Sequence, residues 1–353
     1  MKVSIGIIAY NEELFIEKLF QGLIKQIYPH DKIEIVLVDG KSSDGTWECM
    51  KKFQESNDSF ADIVVLENPK RFQAAGWNVV LQHYTGDVLI RLDAHAEIPE
   101  DFVSKNVACI ESGESVCGGH RINIAQSDKK GQKLLLMAEN SMFGSGIAAY
   151  RRKSGRQYVK TVAHACYRRE VLEKVGFFDE RLMRSEDNDF HARIRQARYR
   201  ICMDGEIVSY YQTRATLKGI LKQKWGNGKW IGLTSVLKSP KIFSSYHFVP
   251  LAFVIAAMLC VLLFGLSFLS STVWWLRIPF YVGIGVYLIA DLILTFKSSF
   301  DNREPLGLLA LPFFFPMLHF AYGLGTLVGV LAAPFQKKKF ESDAGSRPNI
   351  RIA

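Results

Sequence analysis

The chain has no C-x-x-C pair, and its six cysteines (Cys49, Cys109, Cys117, Cys166, Cys202, Cys260) lie at least eight residues apart. That excludes a zinc ribbon and offers no disulfide frame, so the thiols are expected to be reduced, mostly buried, and part of a cytoplasmic domain. Charge is missing from two long stretches, the 29 positions from Phe248 to Leu276 and the 32 from Pro305 to Gln336. A wholly soluble protein is thereby excluded. The apolar start is too short for a signal peptide, and Asn11, Glu12 and Glu13 end it. Internal repeats and low-complexity tracts are also absent. By contrast, the first 247 residues carry charge at ordinary density, and 48% hydrophobic residues do not suit a disordered chain. The net charge of +9, from 44 Lys+Arg against 35 Asp+Glu, shortlists nucleic acid, anionic lipid or a phosphorylated substrate as partners.

The β-branched run Val3 to Ala9 reads as a buried strand. Asn11 is expected to cap a helix on which Ile16, Leu19, Phe20, Leu23 and Ile27 share a face. Strand signals recur at Ile33 to Val38, Ile63 to Leu66 and Val88 to Leu92, with a helix from about Phe72 to Tyr84. This alternation specifies βαβ units, and in such parallel sheets ligands gather at the carboxyl ends of strands. Beyond residue 115 it weakens. Short helices are predicted at Glu170 to Val175 and Asp189 to Ala197. Leu217, Ile220, Leu221 and Trp225 share a helix face among Lys218, Lys222, Lys224 and Lys229, as expected of a basic helix lying in the headgroup region.

Phe248 to Phe268 and Trp274 to Phe296 can each span a bilayer, with Trp274, Trp275 and Tyr281 as an interfacial belt. Leu306 to Ala333 is long enough for a third span, but Pro312, Pro316, Gly323, Gly325 and Gly329 are expected to break or bend it. Two spans plus a re-entrant segment, with the tail cytoplasmic, satisfy the positive-inside rule for Lys337 to Lys339. His319 lies within this apolar run and must face protein or a polar cavity.

Carboxylates stand at successive strand ends: Glu12, Asp39, Asp44, and Asp93 with His95. A lone aspartate after a strand is ordinarily a turn former, but recurrence along one βαβ series points to a ligand. A carboxylate can accept the N–H of a pyrimidine ring. A diphosphate calls for a divalent cation held by oxygen or imidazole, which Asp93 and His95 can supply.

Three segments carry a family resemblance: Ile7 to Glu12 (Ile-Ile-Ala-Tyr-Asn-Glu), Val36 to Gly40 with Ser42 to Thr46, and Arg91 to Ala96. Together they resemble the family 2 glycosyltransferases of GT-A fold, in the branch that builds bacterial exopolysaccharides of the succinoglycan type. The likeness runs over residues 1 to about 235 and, more loosely, through the hydrophobic tail. It implies an α/β, Rossmann-like nucleotide-diphospho-sugar transferase domain followed by an α-helical membrane region. It also implies that Ala9, Tyr10 and Glu12 lie at the nucleotide, that Asp39 accepts from uracil, and that Asp44 lies beside it. Arg71, Gln73, Gly76 and Asn78 resemble the segment that closes over the nucleotide. Asp93 and His95 would replace the family's D-x-D and bind Mn2+ or Mg2+ with the diphosphate. The sequence departs from the family in lacking the usual proline before Tyr10 and in having His95 as the second ligand. Glu186-Asp187 resembles the E-D motif, whose aspartate deprotonates the acceptor hydroxyl; the ordinary alternative is an acidic helix start.

Arg214, Lys222, Lys224 and Trp225 are expected to meet acceptor phosphates or lipid headgroups, although a solvated basic face is the plainer reading. His120, His164 and His191 lack ligand-like spacing and are expected in ordinary hydrogen bonds. The domain division expected is a catalytic domain at 1–235 (nucleotide half 1–115, acceptor half 116–215), interfacial helices at 216–247, membrane segments at 248–335 and a basic tail at 336–353.

The resulting expectation is a membrane-attached, metal-dependent, inverting transferase with its catalytic domain in the cytoplasm. It would move a sugar from a UDP-sugar to a polyprenyl-diphosphate-linked glycan in exopolysaccharide or capsule synthesis. Membrane lipids are partners, nucleic acid is not, and self-association is compatible with the sequence. The rivals are a polyprenyl-phosphate sugar synthase, which would scarcely need Asp187, and a membrane-anchored nucleotide or polysaccharide sensor, which would not need both Asp93 and Asp187.

Overall fold

Strands rich in Val, Ile and Leu, buried on both faces, set the architecture. The computed structural model describes residues 1–152 and 155–342, and the chain divides into two compact units. One comprises residues 1–124, 149–212 and the stretch from 339; the other comprises 125–148 and 213–338.

The first unit opens with β1 (Val3–Ala9), α1 (Glu13–Ile24), β2 (Ile33–Asp39), α2 (Thr46–Glu55), β3 (Asp62–Glu67), α3 (Gln73–His83) and β4 (Val88–Asp93). Next come β5 (Ala96–Glu97), α4 (Phe102–Glu111) and β6 (Val116–Ile124), and after α5 (Lys130–Asn140) of the second unit the sheet resumes. Its last elements are β7 (Gln157–Val159), β8 (Ala163–Arg168), α6 (Arg169–Val175), α7 (Glu186–Gln196) and β9 (Ile201–Gln212). The sheet order is β3-β2-β1-β4-β8-β6-β9-β5, with β7 paired to β9. The first four strands are mutually parallel and β8 runs against them.

Alternate residues feed two cores. Ile33, Ile35 and Leu37 pack with α1, α2 and α4 on one face, while Val36 and Val38 pack with α3, α6 and α7 on the other. Burial on both faces explains the near-continuous apolar runs. The first core also gathers four thiols: Cys117 pairs across strands with Cys166 and Cys202, and Cys109 Sγ lies 4.0 Å from Cys202 Sγ. The expectation for Asn11 needs correction. Its backbone is left-handed (φ 55°), Glu12 holds the cap position of α1, and Asn11 Oδ1 instead accepts from Ser43 N at 2.8 Å. Likewise α7 begins at Glu186, three residues earlier than predicted, because left-handed Ser185 (φ 69°) starts the helix there.

In the second unit, α8 (Leu217–Leu237) precedes α9 (Val249–Leu266), α10 (Ile278–Asp301) and α11 (Gly307–Ser342). The last three lie in segments long and apolar enough to cross a membrane. Trp274 and Trp275 fall in a short 3-10 stretch, Ser271–Arg277, between α9 and α10. Against expectation α11 is one unbroken helix of 36 residues, about 54 Å at 1.5 Å per residue, with Pro312, Pro316 and Pro334 inside it. Neighbouring helices can satisfy the backbone groups a proline frees. α8 is more than a surface helix. Gly228 and Gly232 meet the backbone of Tyr322, Thr326 and Val330, and Gly325 and Gly329 meet that of Trp225 and Lys229. A Cβ at any of the four would overlap its neighbour. Leu135, Met137 and Ala138 of α5 pack with Ile220, Leu311, Phe315 and Leu318.

Candidate active site

The loops after β1 and β2 are stitched into one surface. Gly40 N donates to the Ala9 carbonyl (2.8 Å), Asn11 N to Ser42 Oγ (2.9 Å), and Glu12 N to Thr46 Oγ1 (2.8 Å). Asp39, 3% exposed, accepts from Ser42 N (3.0 Å) and Ser42 Oγ (2.6 Å). Tyr10 stands out from this surface, 47% exposed, as a ring available for stacking. Asp44 belongs to the scaffold: it accepts from Thr46 N, Thr46 Oγ1 and Glu13 N. Burial pushes its pKa up, but these hydrogen bonds outweigh burial and hold it below the usual carboxylate range.

Arg71 and Gln73 are exposed at the start of α3, Arg71 in the left-handed region (φ 67°). Asn78 faces the other way. It is buried and braces the following loop, donating to the Phe178 carbonyl (3.1 Å) and Glu180 Oε1 (3.0 Å) and accepting from Phe178 N (2.8 Å).

At the end of β4, Asp93 and His95 take different partners. His95 Nδ1 lies 3.0 Å from Glu12 Oε1, with its ring edge-on to Tyr211 at 4.8 Å. Asp93 Oδ2 lies 3.4 Å from Nε2 of His164, which comes from β8. Burial raises the Asp93 pKa, but His164, His95 and Arg91 together hold it well below the carboxylate range, so it is ionised. Burial keeps His164 neutral by lowering its pKa, against the pull of Asp93.

Arg91 precedes Asp93 by two residues on the same strand. Its guanidinium stacks over Trp77 at 4.5 Å and lies within the fields of Tyr167, Asp187, Glu186 and Asp93. Glu186 is 4% exposed, and burial, reinforced by Asp187, pushes its pKa up to about 8. Asp187 is half-buried and oriented by Asn188, whose N and Nδ2 donate to Oδ1 at 2.7 and 2.9 Å. Burial thus favours the protonated form of Glu186.

Among the other expected residues, Arg214, Lys222 and Trp225 are exposed, whereas Lys224 is buried and ion-paired to Glu139 Oε1 at 2.7 Å, with Ser145 as a further partner. His191 has the ordinary role expected, bonded to Thr161 and Tyr167. His319 faces protein, bonded to Tyr287 Oη (2.9 Å) and the Phe143 carbonyl (2.6 Å). His164 has the hydrogen-bonded role expected, with Nδ1 2.8 Å from Ser209 Oγ, and its nearness to Asp93 is what the sequence did not signal. Sequence reasoning missed Arg91, which had a signal as the one charge within the apolar body of β4.

Residues 4–176 match the profile of glycosyl transferase family 2. They form a family 2 glycosyltransferase domain. Relatives of this enzyme span nearly its whole length. The dolichyl N-acetyl-alpha-D-glucosaminyl phosphate 3-beta-D-2,3-diacetamido-2,3-dideoxy-beta-D-glucuronosyltransferase of Methanococcus voltae is 25% identical over 334 residues, 93% of this chain and 97% of that protein. The succinoglycan biosynthesis protein ExoA of Rhizobium meliloti is 29% identical over 305 residues, 85% of this chain and 86% of that protein. In fold, the glycosyltransferase is similar to the mannosyltransferase PcManGT of Pyrobaculum calidifontis, solved with GDP-Man and Mn2+. The TM-score is 0.56 at 17% identity, over 95% of this chain and 88% of that one. The sheet is thus that of a GT-A enzyme, followed by helices apolar enough to cross a membrane, and family 2 transfer proceeds with inversion.

Proposed function

We propose that this glycosyltransferase moves a sugar from a UDP-sugar to a lipid-linked glycan at the cytoplasmic face of a membrane. The observation that carries this reading is the sheet itself, which sets Asp93 at the end of β4, with His164 of β8 at 3.4 Å, beside the ends of β1 and β2, where Tyr10 stands exposed and Asp39 lies buried. Arg91 of the same strand lies within the fields of Asp187, Glu186 and Asp93. In this reading Tyr10 and Asp39 bind the nucleoside and Arg71 and Gln73 lie over it. Two of the curated relatives carry lipid-linked substrates in their names, a dolichyl phosphate and an undecaprenyl phosphate.

The residues fit a divalent cation. Asp93 is an ionised carboxylate with imidazoles beside it, a donor set suited to Mn2+ or Mg2+. Among the described residues no group of three His, Cys, Asp or Glu is arranged to hold a metal, so the donor diphosphate would complete the shell. A bound cation would neutralise charge on the leaving diphosphate. Asp187 accepts the proton of the acceptor hydroxyl as its oxygen bonds to the anomeric carbon and the bond to the diphosphate breaks on the opposite face. Burial favours the protonated form of Glu186 beside it.

The test is nucleotide release by the full chain in liposomes, mixed with nucleotide sugars with and without lipid-linked oligosaccharide. Release that needs both acceptor and a divalent cation, and is lost in Asp93→Ala, is expected. Full release in EDTA overturns the metal role. Full activity in Asp187→Asn would favour a lipid phosphate as acceptor, since that oxygen is already ionised.

A further inference from the structure

We propose that α11 does not cross the membrane but lies along it, with one apolar face set into the headgroup–acyl boundary on the side where α9 begins and α10 ends. The membrane attachment proposed above is its premise, with α9 and α10 as the two spans. The third apolar segment is then neither a crossing nor a re-entrant turn.

The two faces of α11 meet different surroundings. Leu309, Phe313, Phe320, Leu324, Leu331 and Phe335 are 36–89% exposed. At 3.6 residues per turn they fall on about a quarter of the circumference, an apolar stripe along most of the helix. On the opposite face Leu311, Phe315 and Leu318 pack with α5, and Gly325 and Gly329 lie on the backbone of α8. Both partner helices carry exposed charge, Lys130 and Lys133 on α5 and Lys218 and Lys222 on α8. Together the two contacts occupy positions 311 to 329, about 27 Å of helix at 1.5 Å per residue, close to the ~30 Å of a hydrocarbon core. A crossing α11 would therefore draw α5 and α8 into the bilayer with their lysines, where charge is expensive. Laid flat, it gives the stripe to lipid and leaves the lysines to water and to headgroup phosphates.

Contacts with α9 and α10 set the level. These two helices pair along their length, Phe253 with Tyr287, Cys260 with Pro279 and Phe264 with Phe280. α11 meets the pair where α9 begins. Gly307, its first residue, meets Ser299 in the last turn of α10. His319 bonds Tyr287, Phe320 lies 5.1 Å from the Phe253 ring, and Gly323 meets Pro250 and Val254 in the first two turns of α9. The stripe is thus continuous at Phe320 with the lipid-exposed base of the spans.

The probe is a fluorescent label on single cysteines, Phe313→Cys, Leu324→Cys and Phe335→Cys, in the full chain with Cys49 and Cys260 replaced by serine. Liposomes of phosphatidylcholine and phosphatidylglycerol hold the protein, and lipids spin-labelled at known acyl positions quench the label and report its depth. The first and last sites are 22 positions apart, about 33 Å of helix. All three labels should agree within about 5 Å and lie about 5–10 Å below the headgroups. A wider spread, with Leu324→Cys deepest, is what a crossing or a re-entrant turn produces, and it overturns the proposal. Leu309→Cys and Leu331→Cys repeat the reading on the same stripe should a first variant fail to fold. Met258→Cys, midway along α9, should be deeper than all of them; a shallow label there would instead overturn the spans themselves.

Discussion

Asp187 and Glu186 share a helix start but not a degree of burial, and their roles can be tested separately. Asp187→Asn is expected to leave UDP affinity, measured by calorimetry, nearly unchanged while cutting turnover by at least about 100-fold, the scale of losing a general base. Lost UDP affinity would move Asp187 to the donor side. Glu186 gives a stability prediction. Its folded pKa, about 8, lies above the ordinary 4.5, so the native state holds a proton that the unfolded chain releases in that interval. Its stabilising contribution is complete below pH 4.5 and is lost as pH rises to 8. Thermal melts at pH 5, 6, 7 and 8 should therefore fall less steeply for Glu186→Gln than for the unsubstituted protein. Legibility at this scale depended on sequence locality. Asp39, Asp93 and Asp187 could be read because each sits beside a strand or helix signal. His164 could not, because only the bulge in β8 brings it to Asp93 across 71 positions of sequence. Asn78 shows the reverse case: it matches a motif, yet its amide braces Phe178 and Glu180.

Among the elements, the alternation of β1 through β4 was visible because strands buried on both faces leave unbroken apolar runs. The partnership of α8 with α11 was not. Glycine spacing in an apolar helix reads as a weak point until a second helix is found lying in the groove it makes. Gly325→Leu should overpack that groove and destabilise the protein by about 1–3 kcal/mol, seen as a lower melting temperature and faster hydrogen exchange in α8. Little change would mean that the helices do not meet there. The buried thiols make a second test of packing. Cys109, Cys117, Cys166 and Cys202 should stay inert to a thiol reagent until the sheet unfolds, whereas the partly exposed Cys49 and Cys260 react in the native state.

For the whole molecule, the end of α11 bears on topology. The Phe340 carbonyl accepts from Arg181 Nη1 at 2.8 Å, and the Phe340 ring lies 4.0 Å from that guanidinium; both residues belong to the unit that holds the sheet. The described end of α11 therefore packs within that unit. If the tail is cytoplasmic, as the positive-inside rule leads one to expect, a cysteine at Ser342 should resist an impermeant thiol reagent in intact cells and react after permeabilisation; labelling without permeabilisation would mean that α11 crosses. The unbroken helix could not be foreseen, because proline and glycine content reports local propensity while the neighbours that override it lie far away in sequence.

The packing of α5 also sets an order of manufacture. Met137 leaves the ribosome 174 positions before Leu311, the partner it packs against in the finished protein. Until the last helix is synthesised, Leu135, Met137 and Ala138 have only part of their apolar surroundings. A nascent chain halted before α11 would thus leave that apolar face of α5 partly uncovered. The helix that completes this packing is one of those long and apolar enough to cross a membrane, so under the function proposed above the enzyme matures where its acceptor lipid would be found.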